Sequence, residues 1–308
     1  MAASLESLLL PGQESHIFLP NNILPPTETS VSNLFSLKGK TAIVTGGGAG
    51  IGFAIVEAFA EAGANVALWY MSSKEAVAKA AKVSKTYGVT CKAYRVTITD
   101  EKSVSDAIDE VVRDLNGRLD IFVANAGIAW VNGRIIDCDM ENFQNIFNIN
   151  FMSALYAAKA AGKHFERQKK EGTNIDGEKL QNFHSGSFIL NSSIASARQL
   201  MPHASTPYNI TKAALTHFAR CLAIEWVQFA RVNSISPGYV STEMLDNVPS
   251  VIRDPWKKRT PLGREGTVAE MKGAFLYFAS DASSFTTGAN LFVDGGILSE
   301  AAEWATLG

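Results

Sequence analysis

The chain has 308 residues, 46% of them apolar and 19% charged, and a formal net charge of −2: the profile of a globular protein with ample length for a sizeable core. Near-neutrality gives no electrostatic reason for nucleic acid or an anionic membrane as partner, and no run approaches the ~18–20 apolar residues of a membrane span. Three widely spaced cysteines (Cys91, Cys138, Cys221) define neither a disulfide framework nor a zinc site and fit a reducing, cytoplasmic compartment.

Residues 1–36 stand apart. They contain "LLLPG", "PNNILPP" and "TETSVS" and neither Lys nor Arg, so they match neither a secretory signal nor a mitochondrial presequence. The expectation is a poorly ordered or surface-draped extension, or an arm packed on a neighbouring subunit.

From Lys40 the pattern alternates. "TAIVT" (41–45) reads as a buried strand and "GIGFAIVEAFAEAGA" as a helix ending at Gly63. "NVALWY" is the next strand, 74–87 a helix, "TCKAYRV" a strand, 101–116 a helix and "LDIFVANAG" a strand. A long helix is expected over about 141–168, then the strand "SFILNSS", a helix over 207–229, the strand "RVNSISPG", the helix "VAEMKGAFLYFAS" and the last strand "NLFVDGG". Short apolar strands alternating with amphipathic helices predict an α/β fold: one doubly wound, Rossmann-type domain over 37–308, with about seven parallel strands covered on both faces. Two segments interrupt the rhythm. The polar stretch 167–184 reads as a surface insertion. Residues 240–266 follow the C-terminal end of a strand and are too long for an ordinary connection, which predicts a lid over a ligand.

"TGGGAGIG" (45–52) lies between the first strand and the first helix. Gly46 permits a tight turn, Gly50 lets the backbone approach a pyrophosphate, and Gly52 allows close helix–strand packing, with Ile51 between them. The helix N-terminus offers free N–H groups to phosphates. The second strand ends "LWYMSSKE", with no acid at Tyr70 or Met71 to accept from a ribose 2′-OH. Ser72, Ser73 and Lys74 offer hydroxyls and a cation to a 2′-phosphate, which points to NADP(H). Ala49 stands where an Arg would have helped.

Tyr208 and Lys212 are four apart in "YNITKAALTHFARCLAIEW", so one helix face carries both. A phenol is a poor acid–base group at neutral pH, and a nearby ammonium lowers its pKa. Ser193 ends a strand at the same crevice, where its hydroxyl can reach a substrate carbonyl; Ser192 should point to the other face.

With these motifs in order, the stretch Leu37–Gly296 resembles the short-chain dehydrogenase/reductase family: "TGGGAGIG", "ANAG" (124–127), Asn150 in "NINFMSA", Ser193, "YNITK", "SPGYVST" (236–242) and "VDGG" (293–296). The resemblance implies Tyr208 as catalytic acid/base, Lys212 as holder of the nicotinamide ribose, Ser193 as polariser of the carbonyl and Asn150 as support of a proton-relay water. It implies a cofactor wall at Asn125, Ala126 and Gly127, nicotinamide contacts at Pro237, Gly238, Val240 and Thr242, and a homotetramer or homodimer built on the helices over 141–168 and 207–229. "LFSLKGKTAIVTGG", "TYGVTCKAY", "EWVQFARVNSISPGYVSTE" and "YFASDASSFTTGANLFVDGG" resemble the fungal branch with NADP-dependent mannitol dehydrogenases and sorbose reductases, which the fifteen-residue spacing of Ser193 and Tyr208 also suits. The chain departs from that branch at Thr97, near the expected adenine site, at Met71, and in the substrate stretch, where Leu200 and His203 replace amides. Leucine in place of an amide suits a less hydroxylated substrate.

The expected substrate pocket comprises Trp130, Leu200, His203 and Tyr239, with Phe151 and Trp256 as further wall or core residues. His164, His184 and His217 read as structural, and their spacing makes no metal site. The sequence therefore predicts an NADP(H)-dependent ketone–alcohol oxidoreductase acting on a ketose, a polyol or a specialised-metabolite carbonyl. The alternative is a cofactor-binding sensor, scaffold or non-redox enzyme on the same fold.

Overall fold

The computed structural model describes residues 22–199, 204–243 and 250–299. One sheet of seven parallel strands runs in the order β3-β2-β1-β4-β5-β6-β7. The strands are β1 Thr41–Val44, β2 Asn65–Tyr70, β3 Cys91–Arg95, β4 Ile121–Ala124, β5 Gly186–Asn191, β6 Ala230–Pro237 and β7 Asn290–Val293. The order reverses between β1 and β4, so their C-terminal ends open a crevice at the switch point. β1, β4, β5 and β6 are buried at every residue, because helices cover both faces of a parallel sheet. The edge strands differ: β3 buries Cys91 and Tyr94, one on each face, and exposes Lys92 and Arg95, and β7 leaves Leu291 and Phe292 exposed.

Each face has its own core. One holds Trp69, Phe122, Phe165, Phe188 and Trp226 against α4 (Glu101–Leu115), α6 (Ser153–Glu171) and α7 (Thr206–Glu225). Phe122 stacks on Phe188 at 5.4 Å and meets Trp69 edge-on at 5.7 Å. Burying each such ring stabilises by about 1.5–3 kcal/mol. The other core gathers Ile55, Phe59, Val83, Phe275 and Phe278 from α2 (Gly50–Glu61), α3 (Ala76–Tyr87) and the C-terminal helix Val268–Ala279. Local signals set the helix ends. Asp100 caps α4 by accepting the Ser103 N–H, and Thr267 and Glu270 form a reciprocal capping box before Val268.

The long helix expected over 141–168 is three pieces. α5 (Met140–Phe147) passes into a π-helical turn, Asn148–Met152, and then into α6. α6 runs on to Glu171, so the polar insertion begins later than expected. It ends at Gly172, whose φ of +69° takes the left-handed cap. α3 starts at Ala76 rather than 74, and α7 ends at Glu225 rather than 229.

Residues 240–266 include the helix α8 (Ser250–Arg259), and Val240 bridges to Gly266 at the base of the loop. Tyr239 stacks on Trp256 with ring centres 4.4 Å apart, and Arg253 forks onto the Glu265 carboxylate. Of the N-terminal extension, residues 22–36 are described and carry the short helix α1 (Val31–Leu34). Leu37, fully buried, begins the domain by donating its N–H to Ala62 O at 2.8 Å. Among the described residues no helix is long and apolar enough to cross a membrane.

Candidate active site

The glycine loop follows β1 and opens α2. Gly46 and Gly50 have φ of +64° and +51°, conformations that side chains disfavour. A Cβ on Gly52 would stand 2.1 Å from Gly46 O and 2.6 Å from Asn125 Nδ2, so only glycine lets helix and loop close. Ala49 caps α2 without a side-chain bond, and no acid occupies its first turn. The helix start thus presents backbone N–H groups without competing carboxylates, which suits a pyrophosphate. Lys79 donates to Gly48 O at 3.0 Å and adds positive charge beneath the loop.

Thr45 ties this loop to the end of β4. Its hydroxyl accepts the N–H groups of Asn125 and Ala126, each at 2.9 Å, and Asn125 Nδ2 donates to Thr45 O at 2.8 Å. Asn191, the last residue of β5, extends the chain of contacts by donating its Nδ2 to Asn125 Oδ1 at 2.7 Å. Sequence reading passed over Thr45, Asn191 and Thr211. The only available signal was position: Thr45 precedes the glycines, and Asn191 precedes the serine pair.

Three elements bring the chemistry-bearing side chains together. Ser193 follows β5 in extended conformation, buried, and its Oγ accepts the Ala195 N–H at 3.1 Å. Tyr208 lies in the first turn of α7, partly exposed. Burial raises its phenol above the ordinary value, and a hydrogen bond with Ser193 acts in the opposite sense. Lys212 is buried one turn on. Its Nζ donates to Asn191 O at 2.8 Å and sits 5.6 Å from the Tyr208 ring centre. Desolvation of the ammonium pushes it down to about 8. Ser192 turns away to bond Lys212 O and Thr216 Oγ1 at 2.8 and 2.9 Å.

Asn150 sits in the π-helical turn, buried. Its Oδ1 accepts the Ile128 N–H at 2.8 Å, and its Nδ2 donates to Ile128 O at 3.0 Å and Thr211 Oγ1 at 3.2 Å. Thr211 Oγ1 in turn donates to Tyr208 O at 2.7 Å. A Cβ on Gly127 would lie 3.2 Å from Asn150 Oδ1 and 3.5 Å from Lys212 Nζ. Gly127 therefore marks where the loop after β4 passes both groups. Thr242 reaches the glycine loop, its Cγ2 3.4 Å from where a Gly50 Cβ would be. Pro237 and Val240 are buried, and Gly238 abuts Asp294 so closely that a Cβ would stand 2.8 Å from the Asp294 Cα.

At the end of β2, Tyr70 is half-buried, Ser72 and Lys74 are exposed, and Ser73 abuts Gly48 of the loop. Thr97 is exposed, its carbonyl accepting the Asp100 N–H. The donor set fits a nicotinamide dinucleotide: a cradle that side chains would fill, free amides at a helix start, and hydroxyls with cations at the end of β2.

The expected pocket residues are more scattered. Trp130 is buried, its indole N–H spent on Gly133 O at 2.8 Å. Phe151 belongs to an aromatic run, 5.5 Å from Phe147 and 5.7 Å from Phe218. Tyr239 stacks on Trp256 of the segment 240–266, and burial pushes its phenol up to about 12. Leu200 and His203 lie outside the described residues. His164 bonds Asp109 at 2.8 Å, and His217 lines a cavity of about 250 Å³ with Thr216, Arg220 and Phe292. Among the described residues no group of His, Cys, Asp or Glu could hold a metal ion.

The family described as enoyl-(acyl carrier protein) reductase matches residues 46–298. L-xylulose reductase of Hypocrea jecorina is 52% identical over 91% of this chain and 97% of its own length. Sorbose reductase of Candida albicans is 45% identical over 88% of this chain and 92% of its own. Among solved structures, the NADPH-dependent 3-quinuclidinone reductase of Rhodotorula rubra superposes with a TM-score of 0.82 at 41% identity, covering 90% of this chain and 97% of that one.

Proposed function

Starting from the fact that the chain belongs to the short-chain dehydrogenase/reductase family, we propose that this NADP(H)-dependent oxidoreductase interconverts a ketose and the corresponding polyol. The observation that carries the reading is the convergence of Ser193, Tyr208, Lys212 and Asn150 beside a glycine cradle, in a chain similar along most of its length to two ketose reductases.

NADPH, when bound, supplies the hydride that the carbonyl carbon accepts. The protein's part is to hold and protonate the oxygen. Ser193 donates a hydrogen bond to the carbonyl oxygen, and Tyr208 gives that oxygen its proton. Lys212, fixed by Asn191 O, holds the nicotinamide ribose, and its charge favours the phenolate left on Tyr208. Asn150 fixes the backbone at Ile128 and supports the water that returns a proton to the site.

The cofactor is held by Gly46, Gly50, Ile51 and Gly52 at the pyrophosphate, and by Asn125, Ala126 and Gly127 along the wall. Tyr70, Ser72, Ser73, Lys74 and Thr97 take the adenosine end, and Pro237, Gly238, Val240 and Thr242 the nicotinamide end. The segment 240–266 serves as the lid, with Tyr239 and Trp130 toward the substrate, and Leu200 and His203, which lie outside the described residues, assigned to the same pocket from sequence. The protein works in the cytoplasm as a homotetramer or homodimer. Support for association is the partly exposed run Phe143, Phe147, Phe151 and Phe218, spaced 5.5–6.1 Å on the outer helices.

Steady-state NADPH oxidation with L-xylulose, L-sorbose, D-fructose and 3-quinuclidinone tests the substrate class. A kcat/KM for one of the sugars at least about tenfold above the bicyclic ketone is expected. The reverse order would assign the pocket to a less polar carbonyl.

A further inference from the structure

An NADP-selective protein must meet the 2′-phosphate with charge, because a dianion leaving water needs cationic or strongly donating partners. In a doubly wound sheet the adenosine ribose lies at the C-terminal end of β2. Among the described residues, three cations lie near that end by sequence or contact: Lys74, just after β2, Lys79 against the glycine loop and Arg95 beside Met71. The glycine loop supplies none, since Ala49 precedes Gly50.

They are not equivalent. Lys79 is already engaged: its Nζ donates to Gly48 O at 3.0 Å, lies 3.3 Å from the Glu75 carboxylate and stands over the Phe53 ring at 5.1 Å. Lys74 is exposed in the turn before α3, a flexible point charge. Arg95 is held. It ends β3, paired in register with Tyr70, and its Nε donates to Met71 O at 3.1 Å. That bond draws the guanidinium across from β3 to the residue just before Ser72.

The sheet's alternation puts Arg95 on the correct face. Tyr94 points into the core of α4 and α6 and bonds Asp114 at 3.0 Å. Its neighbour Arg95 therefore projects to the opposite face. There Tyr70 packs against the cluster of α2 and α3, and the glycine loop opens α2. Among the described residues Arg95 takes part in no ion pair, and its two terminal nitrogens have no hydrogen-bond partner. A tethered guanidinium with two free donors on one edge matches the geometry of a phosphate.

We propose that Arg95, reaching over from β3, is the residue that selects the 2′-phosphate of NADP(H), with the Ser72 hydroxyl beside it. Selectivity then comes mainly from the neighbouring strand, and Lys74, the cation that sequence reading favoured, adds a lesser contribution from its exposed turn. The inference rests on the reading above for its cofactor alone.

Direct binding tests it without a carbonyl substrate. NADPH and NADH are titrated by fluorescence, and 2′-AMP by calorimetry, into wild type, Arg95→Ala, Arg95→Lys and Lys74→Ala. Losing a charge-assisted contact should weaken NADPH in Arg95→Ala by about 10–100-fold and shift NADH by no more than about twofold. Binding of 2′-AMP should fall in parallel, Arg95→Lys should lie between Arg95→Ala and wild type, and Lys74→Ala should lose less than about threefold. Unchanged NADPH affinity in Arg95→Ala, or an equal loss of NADPH and NADH, would overturn the assignment. A wild-type protein that binds NADPH tightly yet reduces no ketose would overturn the substrate reading and leave this one standing.

Discussion

The Lys212 ammonium donates to the carbonyl of Asn191 at 2.8 Å, docking the start of α7 onto the end of β5. Through Asn191 the same contact reaches Asn125 and the glycine loop. The Tyr208–Lys212 end of the crevice and the glycine loop thus share one hydrogen-bonded frame.

Burial of that ammonium has a consequence for stability. Its pKa falls from 10.5 to about 8 on folding. Between these values the unfolded chain binds the proton more fully, so wild-type stability gains with rising pH across the window. Relative to wild type, Lys212→Met should have its most favourable Tm at pH 7 and lose ground as pH climbs toward 10. A Tm difference constant over that range would show that Lys212 does not titrate there.

Asn150→Ala should harm both stability and turnover. The N–H and C=O of Ile128 would lose their side-chain partner, at a cost of about 1–3 kcal/mol. Thermal unfolding should show that loss, and kcat should fall more than NADPH affinity does. A variant with normal Tm and normal kcat would remove Asn150 from the mechanism.

Gly52→Ala tests the cradle. The added methyl meets Gly46 O at 2.1 Å, a backbone atom that cannot swing aside as a side chain would. Destabilisation of about 1–3 kcal/mol is expected, together with NADPH affinity lowered at least tenfold. Gly88→Ala is the control for glycine substitution: its φ of +70° is strained, but no atom lies within 4 Å. It should cost stability and leave NADPH affinity intact. Equal NADPH affinity in the two variants would contradict the cradle.

The strand positions along the chain and the main motifs were legible because they are local. Parallel strands buried on both faces read as apolar runs, and the glycine turn and the Tyr208–Lys212 pair have short fixed spacings. What was hidden depends on tertiary contact. Asn191, Thr45 and Thr211 are ordinary polar residues until the fold places partners 2.7–3.2 Å away. The π-helical turn carrying Asn150 differs from α-helix by little in hydrophobic period, so "NIFNINFMSA" reads as unbroken helix. Sequence reading passed over Arg95, since only the pairing of β3 with β2 brings it to Met71.

The segment 240–266 rests on two anchors. Tyr239 stacks on Trp256, and Arg253 grips Glu265, whose carboxyl is held below its usual range by that guanidinium. Trp256→Ala removes a buried ring and should raise substrate KM more than tenfold, with NADPH affinity changed by no more than about threefold. Limited proteolysis should then cut within 250–259 faster than in wild type. Unaltered KM and cleavage would contradict the proposal that this segment closes over the substrate.

The central claim is that Tyr208 delivers the proton, and Tyr208→Phe measures it most directly, with turnover and NADPH binding followed on the same protein. Loss of the hydroxyl should lower kcat by at least about 10²–10⁴-fold while NADPH binds within about threefold of wild type. Turnover at the wild-type rate, with NADPH binding intact, would contradict the account.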